Sequence, residues 1–365
     1  MSIEEINSLP VFFIVGPGRS GTTLLRTVFD AHSNICIPPE GKVIMHLKNK
    51  YGNENAWNAN KIDSFIEDLF LDRKFTQLWR VDSFKLKNYI LSFPIEKLNF
   101  QVLCKMIYLQ SQSLFKKDRI LLIGDKNPVY SVYIEELLEI FPNAKFIHLK
   151  RDFRDVIVSN RIHFKRNSIA ILSNYWRVYN HYIERSKSKH PSQFFDIRYE
   201  YFVNDPQKNV SELCQFLEID FRPEMLTYYT TINENYKPED FPIIEKMFPG
   251  LLTPIQPVTE KKWMKHLNEK ELDLIYFVVK KLANRYQFDV SHSNSNPIKL
   301  ILSGYGLLVQ FIDIAVIKGY YILPFSLRKL IRKLADKLFS KAGILTVYNE
   351  DDRFTQKSID QFKNN

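Results

Sequence analysis

Val11-Phe12-Phe13-Ile14-Val15-Gly16-Pro17-Gly18-Arg19-Ser20-Gly21-Thr22-Thr23 joins an unbroken apolar, β-prone run to a glycine-rich turn. An amphipathic stretch, Thr22–His32, follows with Leu24, Leu25, Val28 and Phe29 on its apolar side. A strand buried on both faces reads as such a continuous run, and it predicts a parallel sheet. Where strand passes into helix through glycines, backbone N–H groups and the helix N-terminus point at one spot, which makes an anion site. Glycines permit the close backbone approach and positive φ that such a turn needs, and Thr22 and Thr23 add hydroxyl donors. Gly16 and Gly21 keep the spacing of the triphosphate-binding loop, but Thr22 stands where that loop has its lysine. Arg19 is the cation of the turn.

Outward from this loop, strand and helix alternate. Further strands are predicted at Ile35-Cys36-Ile37, Leu121–Gly124, Lys145–Leu149 and Phe194–Ile197. Helices are predicted over much of 60–116 with breaks near Ser92 and Pro94, and over Tyr130–Ile140, Asp152–Phe164 and Ser168–Lys187. Asp205-Pro206 and Asn268–Glu271 read as capped helix starts, the second leading to about Tyr286. The fold class is therefore α/β with a central parallel sheet, plus a helical C-terminal appendage. The organisation expected is a main domain over 1–290, a polar linker over 291–297, an apolar and basic appendage over 298–345, and a polar tail over 346–365.

The chain has 365 residues, 45% of them hydrophobic and 14% aromatic, enough for a substantial core. Cys36, Cys104 and Cys214 are too few and too scattered for a disulfide framework or a cysteine zinc site, and they suit a reducing compartment. The opening residues carry acids and no apolar run, so no secretory signal is expected and a cytoplasmic location is. The net charge is +10, but between 295 and 342 eight Lys or Arg residues face two Asp, so much of the excess sits in the tail. The main domain is only mildly basic, which argues against nucleic acid as a partner and still favours a small anionic ligand. No metal-binding spacing of His, Cys or acids is present, and no metal is expected.

Two segments together resemble a known family. Val15–Leu25 with Asp30-Ala31-His32 is similar to the 5′-phosphosulfate loop of sulfotransferases, above all the tyrosylprotein sulfotransferases and their bacterial relatives. Phe146–Asp155, running on to Ser159, resembles the family's 3′-phosphate segment, with an arginine at a strand end and a serine two helical turns later. Arg198-Tyr199-Glu200 with Asp205-Pro206, and Lys262-Trp263, give weaker matches, so the likeness spans roughly 11–290. The resemblance implies a P-loop-like, three-layer fold. It also implies an enzyme that transfers a sulfuryl group from 3′-phosphoadenosine 5′-phosphosulfate to a hydroxyl of a sugar, lipid, small molecule or tyrosine.

On that basis Gly18, Arg19, Ser20, Gly21, Thr22 and Thr23 hold the 5′ end of the nucleotide. Arg151 and Ser159 hold its 3′-phosphate, while Tyr199, Lys262 and Trp263 lie near the adenine. The family's further phosphate arginine falls on His163. Glu40, 21 residues beyond Arg19 as in the tyrosylprotein enzymes, is the expected base, with a pKa raised by partial burial. His32 and His46 are its rivals. Lys126, in Gly124-Asp125-Lys126-Asn127-Pro128, and Arg19 are expected to steady charge on the leaving and transferring oxygens. Arg154, Arg161 and Arg166 read as solvated or paired charges, and Trp176 as a core anchor. Two alternatives stay open: a P-loop kinase or triphosphatase, and a non-catalytic membrane-docking protein with a degenerate loop.

Ile298–Pro324 reads as apolar on nearly all sides but carries Lys299, Gln310, Asp313 and Lys318, a poor composition for spanning a bilayer. Leu327–Ala342 sets one leucine-rich stripe against cations, as an interfacial helix does. Packing on the body or a partner is slightly favoured over peripheral contact of 298–342 with the cytoplasmic membrane face. The oligomeric state is left open.

Overall fold

In the computed structural model, which describes residues 1–235, 248–258, 261–331 and 334, five strands form one wholly parallel sheet in the order β2-β3-β1-β4-β5. They are β1 (Val11–Val15), β2 (Ile35–Cys36), β3 (Leu122–Lys126), β4 (Lys145–Lys150) and β5 (Phe194–Arg198). Each falls where the apolar runs predict it, with ends shifted by a residue or two.

All five residues of β1 are buried, and their alternation builds two layers. Phe12 and Ile14 point into one cluster with Leu25, Val28, Ile147 and Leu149, while Phe13 and Val15 point into the other with Tyr130, Leu137 and Phe146. A strand sandwiched this way has no polar face, which is why its sequence does not alternate. A third cluster gathers Phe153, Trp176, Trp263, Ile275 and Phe288.

Helices cover both faces: α1 (Ile3–Ser8), α2 (Thr22–Asp30), α3 (Val43–Tyr51), α4 (Ala59–Leu69), α5 (Arg73–Leu78), α6 (Ser83–Leu91) and α7 (Phe100–Leu109) precede β3. After it come α8 (Ile134–Ile140), α9 (Phe153–Phe164), α10 (Ile169–Lys189), α11 (Tyr199–Asn204), α12 (Pro206–Leu217), α13 (Tyr228–Asn235), α14 (Trp263–His266), α15 (Glu269–Arg285) and α16 (Pro297–Ile322). Side-chain caps start several where the sequence foretells them: Asp152 on α9, Ser168 on α10, Asp205 on α12, and a reciprocal Asn268–Glu271 box on α15. The helix predicted over Tyr130–Ile140 is instead a 3₁₀ turn, Pro128–Val132, followed by α8. Asn127 caps that turn through Val129 N–H, and Tyr133 leaves helical geometry between the two pieces.

The chain leaves β1 for one edge of the sheet (β2, then β3) and returns on the other side of β1 (β4, then β5). Direction therefore reverses at the carboxyl end of β1, the place where open parallel sheets bind ligands. Register brings Ile14 of β1 beside Lys126 of β3 and Ile147 of β4, so Gly16, Lys126 and Arg151 emerge along the same edge.

Trp176 props this edge from α10. It is 1% exposed and its indole N–H donates to Arg151 C=O at 3.2 Å. Trp176→Ala should lower unfolding stability by about 3–5 kcal/mol, measured by urea titration; a loss under about 1 kcal/mol would contradict the packing described.

Candidate active site

The loop is held in shape before any ligand arrives. Gly16 and Gly21 take positive φ of 149° and 92°, and a side chain at Gly16 would lie 2.7 Å from Leu149 C=O. Gly21 lies under the ring of Tyr199, which a Cβ there would overlap. Arg19, at φ 74°, occupies the left-handed region that side chains rarely adopt. Such strain persists only when neighbours over-determine it. Here Gly16 N–H donates to Ser131 Oγ at 3.1 Å and Gly18 N–H to Tyr175 Oη at 2.7 Å, while Arg151 donates to Arg19 C=O at 3.1 Å. Gly18 thus spends its N–H on Tyr175. The N–H groups of Thr22, Thr23 and Leu24, in the first turn of α2, have no acceptor within the helix, the arrangement that suits an anion. Ser20 Oγ is fully buried in the loop without a partner.

The two arginines meet across the loop. Arg19 Nε donates to Ser159 Oγ at 2.9 Å, and Arg151 stacks over Tyr199 with its guanidinium 4.3 Å from the ring centre. Burial, then the nearby Arg151 charge, lowers the Arg19 pKa, and Arg151 Nε is buried without a partner. Two adjacent cations with unspent donors, beside a helix N-terminus, make a strong anion cradle. Ser159 thus reaches the site as the partner of Arg19.

On the β3 side, Lys126 is buried and its ammonium lies 3.0 Å from Glu40 Oε2 and 3.3 Å from Thr23 Oγ1. Lys74, from α5, takes the other oxygen of Glu40 at 2.9 Å. The expectation of a raised Glu40 pKa is corrected: burial pushes it up, but Lys126 and Lys74 together outweigh burial and hold the carboxyl well below its usual range. Lys126 is itself lowered, by burial first. The rival bases are occupied elsewhere. His32 bonds Asp220 C=O at 2.9 Å and accepts from Asn34 N–H, and His46 bonds Asp68 C=O at 2.8 Å beneath Phe325.

Trp263 is buried in the third cluster with the Arg154 guanidinium 4.3 Å from its ring. Lys262 is exposed beside it, and His163 is half-buried at the end of α9. Arg154 is more enclosed than its sequence context predicts: it is buried and paired bidentately with Asp152 at 2.9 and 2.6 Å. Arg161 pairs with Glu271 at 2.5 Å. Three features escape sequence reasoning because their parts are remote in the chain. They are the Lys74 clamp, the Tyr175 prop, and a grouping of His148, Glu184 and Asp196 with ligand atoms within 4.8 Å of one another. In that grouping Lys150 and Lys187 both pair with Asp196, so ammonium groups already answer its charge.

Residues 10–223 match the family model described as "Sulfotransferase family", and the chain belongs to that family. It uses 3′-phosphoadenosine 5′-phosphosulfate to sulfate a hydroxyl acceptor. Among relatives, it is 26% identical over 278 residues to the omega-hydroxy-beta-dihydromenaquinone-9 sulfotransferase of Mycobacterium tuberculosis, covering 65% of this chain and 71% of that one. It is 21% identical over 265 residues to the protein-tyrosine sulfotransferase of Drosophila melanogaster, covering 70% of this chain but 47% of that one. The fold matches the sulfotransferase domain of the Synechococcus PCC 7002 olefin synthase, with a TM-score of 0.53 and 22% identity over 77% of this chain and 96% of that one. The triphosphatase and non-catalytic alternatives are thereby set aside.

Asp125, next to Lys126, offers a check on the electrostatics of this edge. Burial raises its pKa to about 7 although the Tyr108 hydroxyl donates to it. The folded state therefore binds a proton that the unfolded state releases between about pH 4 and 7, so stability falls as pH rises through that window. Asp125→Asn should flatten this decline in urea unfolding between about pH 5 and pH 8; an unchanged slope would show that Asp125 is not its source.

Proposed function

We propose that this chain sulfates a hydroxyl carried by an apolar, lipid-like acceptor at the cytoplasmic face of a membrane, with Glu40 as base and Arg19 and Lys126 as the electrostatic groups. The observation that carries the catalytic half is the position of Lys126, whose single ammonium touches both Glu40 and the loop hydroxyl of Thr23. The 5′-phosphosulfate would lie against the first-turn N–H groups of α2, with Ser20, Thr22 and Thr23 around it and Arg19 on its oxygens. Gly18 and Gly21 serve by letting the backbone come close. Arg151 and Ser159 would define the 3′-phosphate pocket, the unspent Nε of Arg151 being a ready donor. Tyr199, whose ring covers Gly21, and the buried Trp263 with Lys262 would border the nucleotide.

The acceptor oxygen attacks sulfur in line as the bond from sulfur to the bridging 5′-phosphate oxygen breaks, releasing adenosine 3′,5′-bisphosphate. The acceptor proton passes to Glu40. Lys126 and Arg19 meet the charge that gathers on the leaving and equatorial oxygens, so positioned side-chain cations supply the stabilisation and no metal is required. A carboxylate gripped by two ammonium groups is a weak base, so arrival of the acceptor must loosen one grip. Lys74 is the partly exposed one, with its side chain 39% accessible, whereas Lys126 is enclosed. Once Lys74 is displaced, an apolar acceptor that excludes water would raise the basicity of the Glu40 carboxylate. The menaquinone-derived alcohol named for the mycobacterial relative supports a lipid-like class, as does the apolar helix beside α3 described below. Cys36, Cys104 and Cys214 are all free and buried, in keeping with a reducing cytoplasm.

Calorimetry should find tight binding of adenosine 3′,5′-bisphosphate and much weaker binding of ATP with Mg²⁺. Arg151→Ala should abolish that preference, and a preference for ATP would overturn the assignment. Glu40→Gln should leave bisphosphate affinity unchanged while lowering kcat with a lipid alcohol by about 10²–10⁴-fold, followed by transfer of radiolabelled sulfate. Activity within a few-fold of the parent would remove Glu40 from the base role.

A further inference from the structure

Helix α16 wears two faces. Lys299, Ser303, Gly306, Gln310 and Ile314 recur at helical spacing and are buried against the body. Along this stripe Lys299 pairs with Asp273 at 2.5 Å, Asn174 of α10 donates to Ser303 C=O at 3.2 Å, and Lys318 pairs with Glu136 at 2.7 Å. A side chain at Gly306 would overlap Ala170 C=O, so the helix lies directly on the α10 backbone. Against the sequence expectation, the helix is long and apolar enough to cross a membrane by length and composition, but most of its polar residues are consumed in fastening it to the domain.

The opposite face is apolar and has no partner among the described residues. Leu300, Ile301, Tyr305, Leu308, Phe311 and Ile312 are all at least half exposed, and Gly304 and Ala315 fill the positions between them. At about 100° per residue these positions sweep roughly two fifths of the helix circumference, and Asp313 falls about 80° beyond them, next to the buried stripe. The apolar surface continues past the helix through Leu327, Leu330 and Ile331, where Lys329 is exposed. The sequence beyond adds Arg332, Lys333, Lys337 and Lys341 against Asp336.

We propose that the outward face of α16 is a bilayer-docking surface that lies flat on anionic lipid and does not cross it. The helix is about 39 Å long, its polar stripe ties it to the domain along that length, and crossing would mean tearing those ion pairs open. An in-plane helix instead buries its apolar side while the domain stays in water. Charge favours lipid over a second copy: the sequence after the helix is strongly basic, so an anionic surface attracts it while an equally basic second copy repels it. The far end of α16 also reaches α3 and the segment that carries Glu40. Asn49 of α3 donates to Ile322 C=O at 2.8 Å, Phe325 packs on His46, and the Tyr321 ring lies 5.9 Å from the Lys42 ammonium, two residues from Glu40. Docking would therefore set the acceptor entrance against the membrane. This rests on the lipid-acceptor reading above, but the surface can be tested without it.

The full chain should co-sediment with vesicles containing phosphatidylglycerol and much less with phosphatidylcholine alone. The triple variant Leu308→Asp, Phe311→Asp, Ile312→Asp changes only exposed positions and should lose vesicle binding at least tenfold while keeping adenosine 3′,5′-bisphosphate affinity. A Tyr305→Trp reporter should be quenched by lipids brominated near the headgroup more than by those brominated near the chain end. The proposal is overturned if the parent chain stays in the supernatant, if the triple variant binds vesicles as well as the parent, or if quenching is deepest at the bilayer centre. It is equally overturned if sedimentation equilibrium reveals a dimer that the triple variant dissolves while vesicles go unbound. Failure to bind the bisphosphate would count against the active-site reading alone, and failure to bind vesicles against this surface alone.

Discussion

Everything in the active site depends on a turn that the backbone would not adopt unaided. Between β1 and α2 the chain runs through positive φ at Gly16, Arg19 and Gly21, and only two of those residues are glycines. Residues in that region are costly by about 1–3 kcal/mol each when they carry a side chain, so the turn must be held from outside. Ser131, Tyr175 and Arg151 hold it by bonds to the loop's own backbone. What this scaffold gains is a set of unspent donors facing one way: the first-turn N–H groups of α2, Ser20 and two arginines. Preorganised donors cost no rearrangement when charge develops on a bound group.

Glu40, the proposed base, presents the opposite situation. Glu40 is not freed by its surroundings but gripped, and the burial that a sequence reading invokes to raise its pKa is overridden by two ammonium groups. A carboxylate so stabilised keeps its charge at any working pH, and proton uptake waits on a change in its partners. If Glu40 is the base, control of reactivity passes from intrinsic basicity to the integrity of one ion pair, the Lys74 contact, which belongs to the helical segment between β2 and β3.

How much of this is legible in the sequence follows from distance along the chain. The loop, the five strands and the capped helices are local signals, and they stand where the residues predict. Tyr130–Ile140 failed because the Asn127 turn and Tyr133 interrupt a pattern that is apolar enough to look continuous. Arg151 and Ser159 are legible as a pair, yet Ser159 meets Arg19, a contact set by how α9 leans over the loop. Lys74 on α5, Tyr175 on α10 and Tyr108 beside Asp125 carry no local mark, since each acquires its role only when the sheet brings separate helices to one edge. Seen as sequence, α16 is apolar on nearly all sides; packing on α10 shows that Lys299, Ser303 and Gln310 turn one stripe toward the body, while Asp313 stays exposed.

Helix α10 is the element on which these regions converge. Within a few residues it supplies Ile171 and Asn174 to α16, Tyr175 to the loop N–H of Gly18, Trp176 to Arg151 and Asn180 to His148. Tail and nucleotide loop are thus clamped to adjacent turns of one rigid rod. Any load on the tail that displaces this rod bears on the loop as well, and by linkage a coupling of binding energies in one direction must run equally in the other. A chain built this way has the mechanical means to register whether its outer helix is covered.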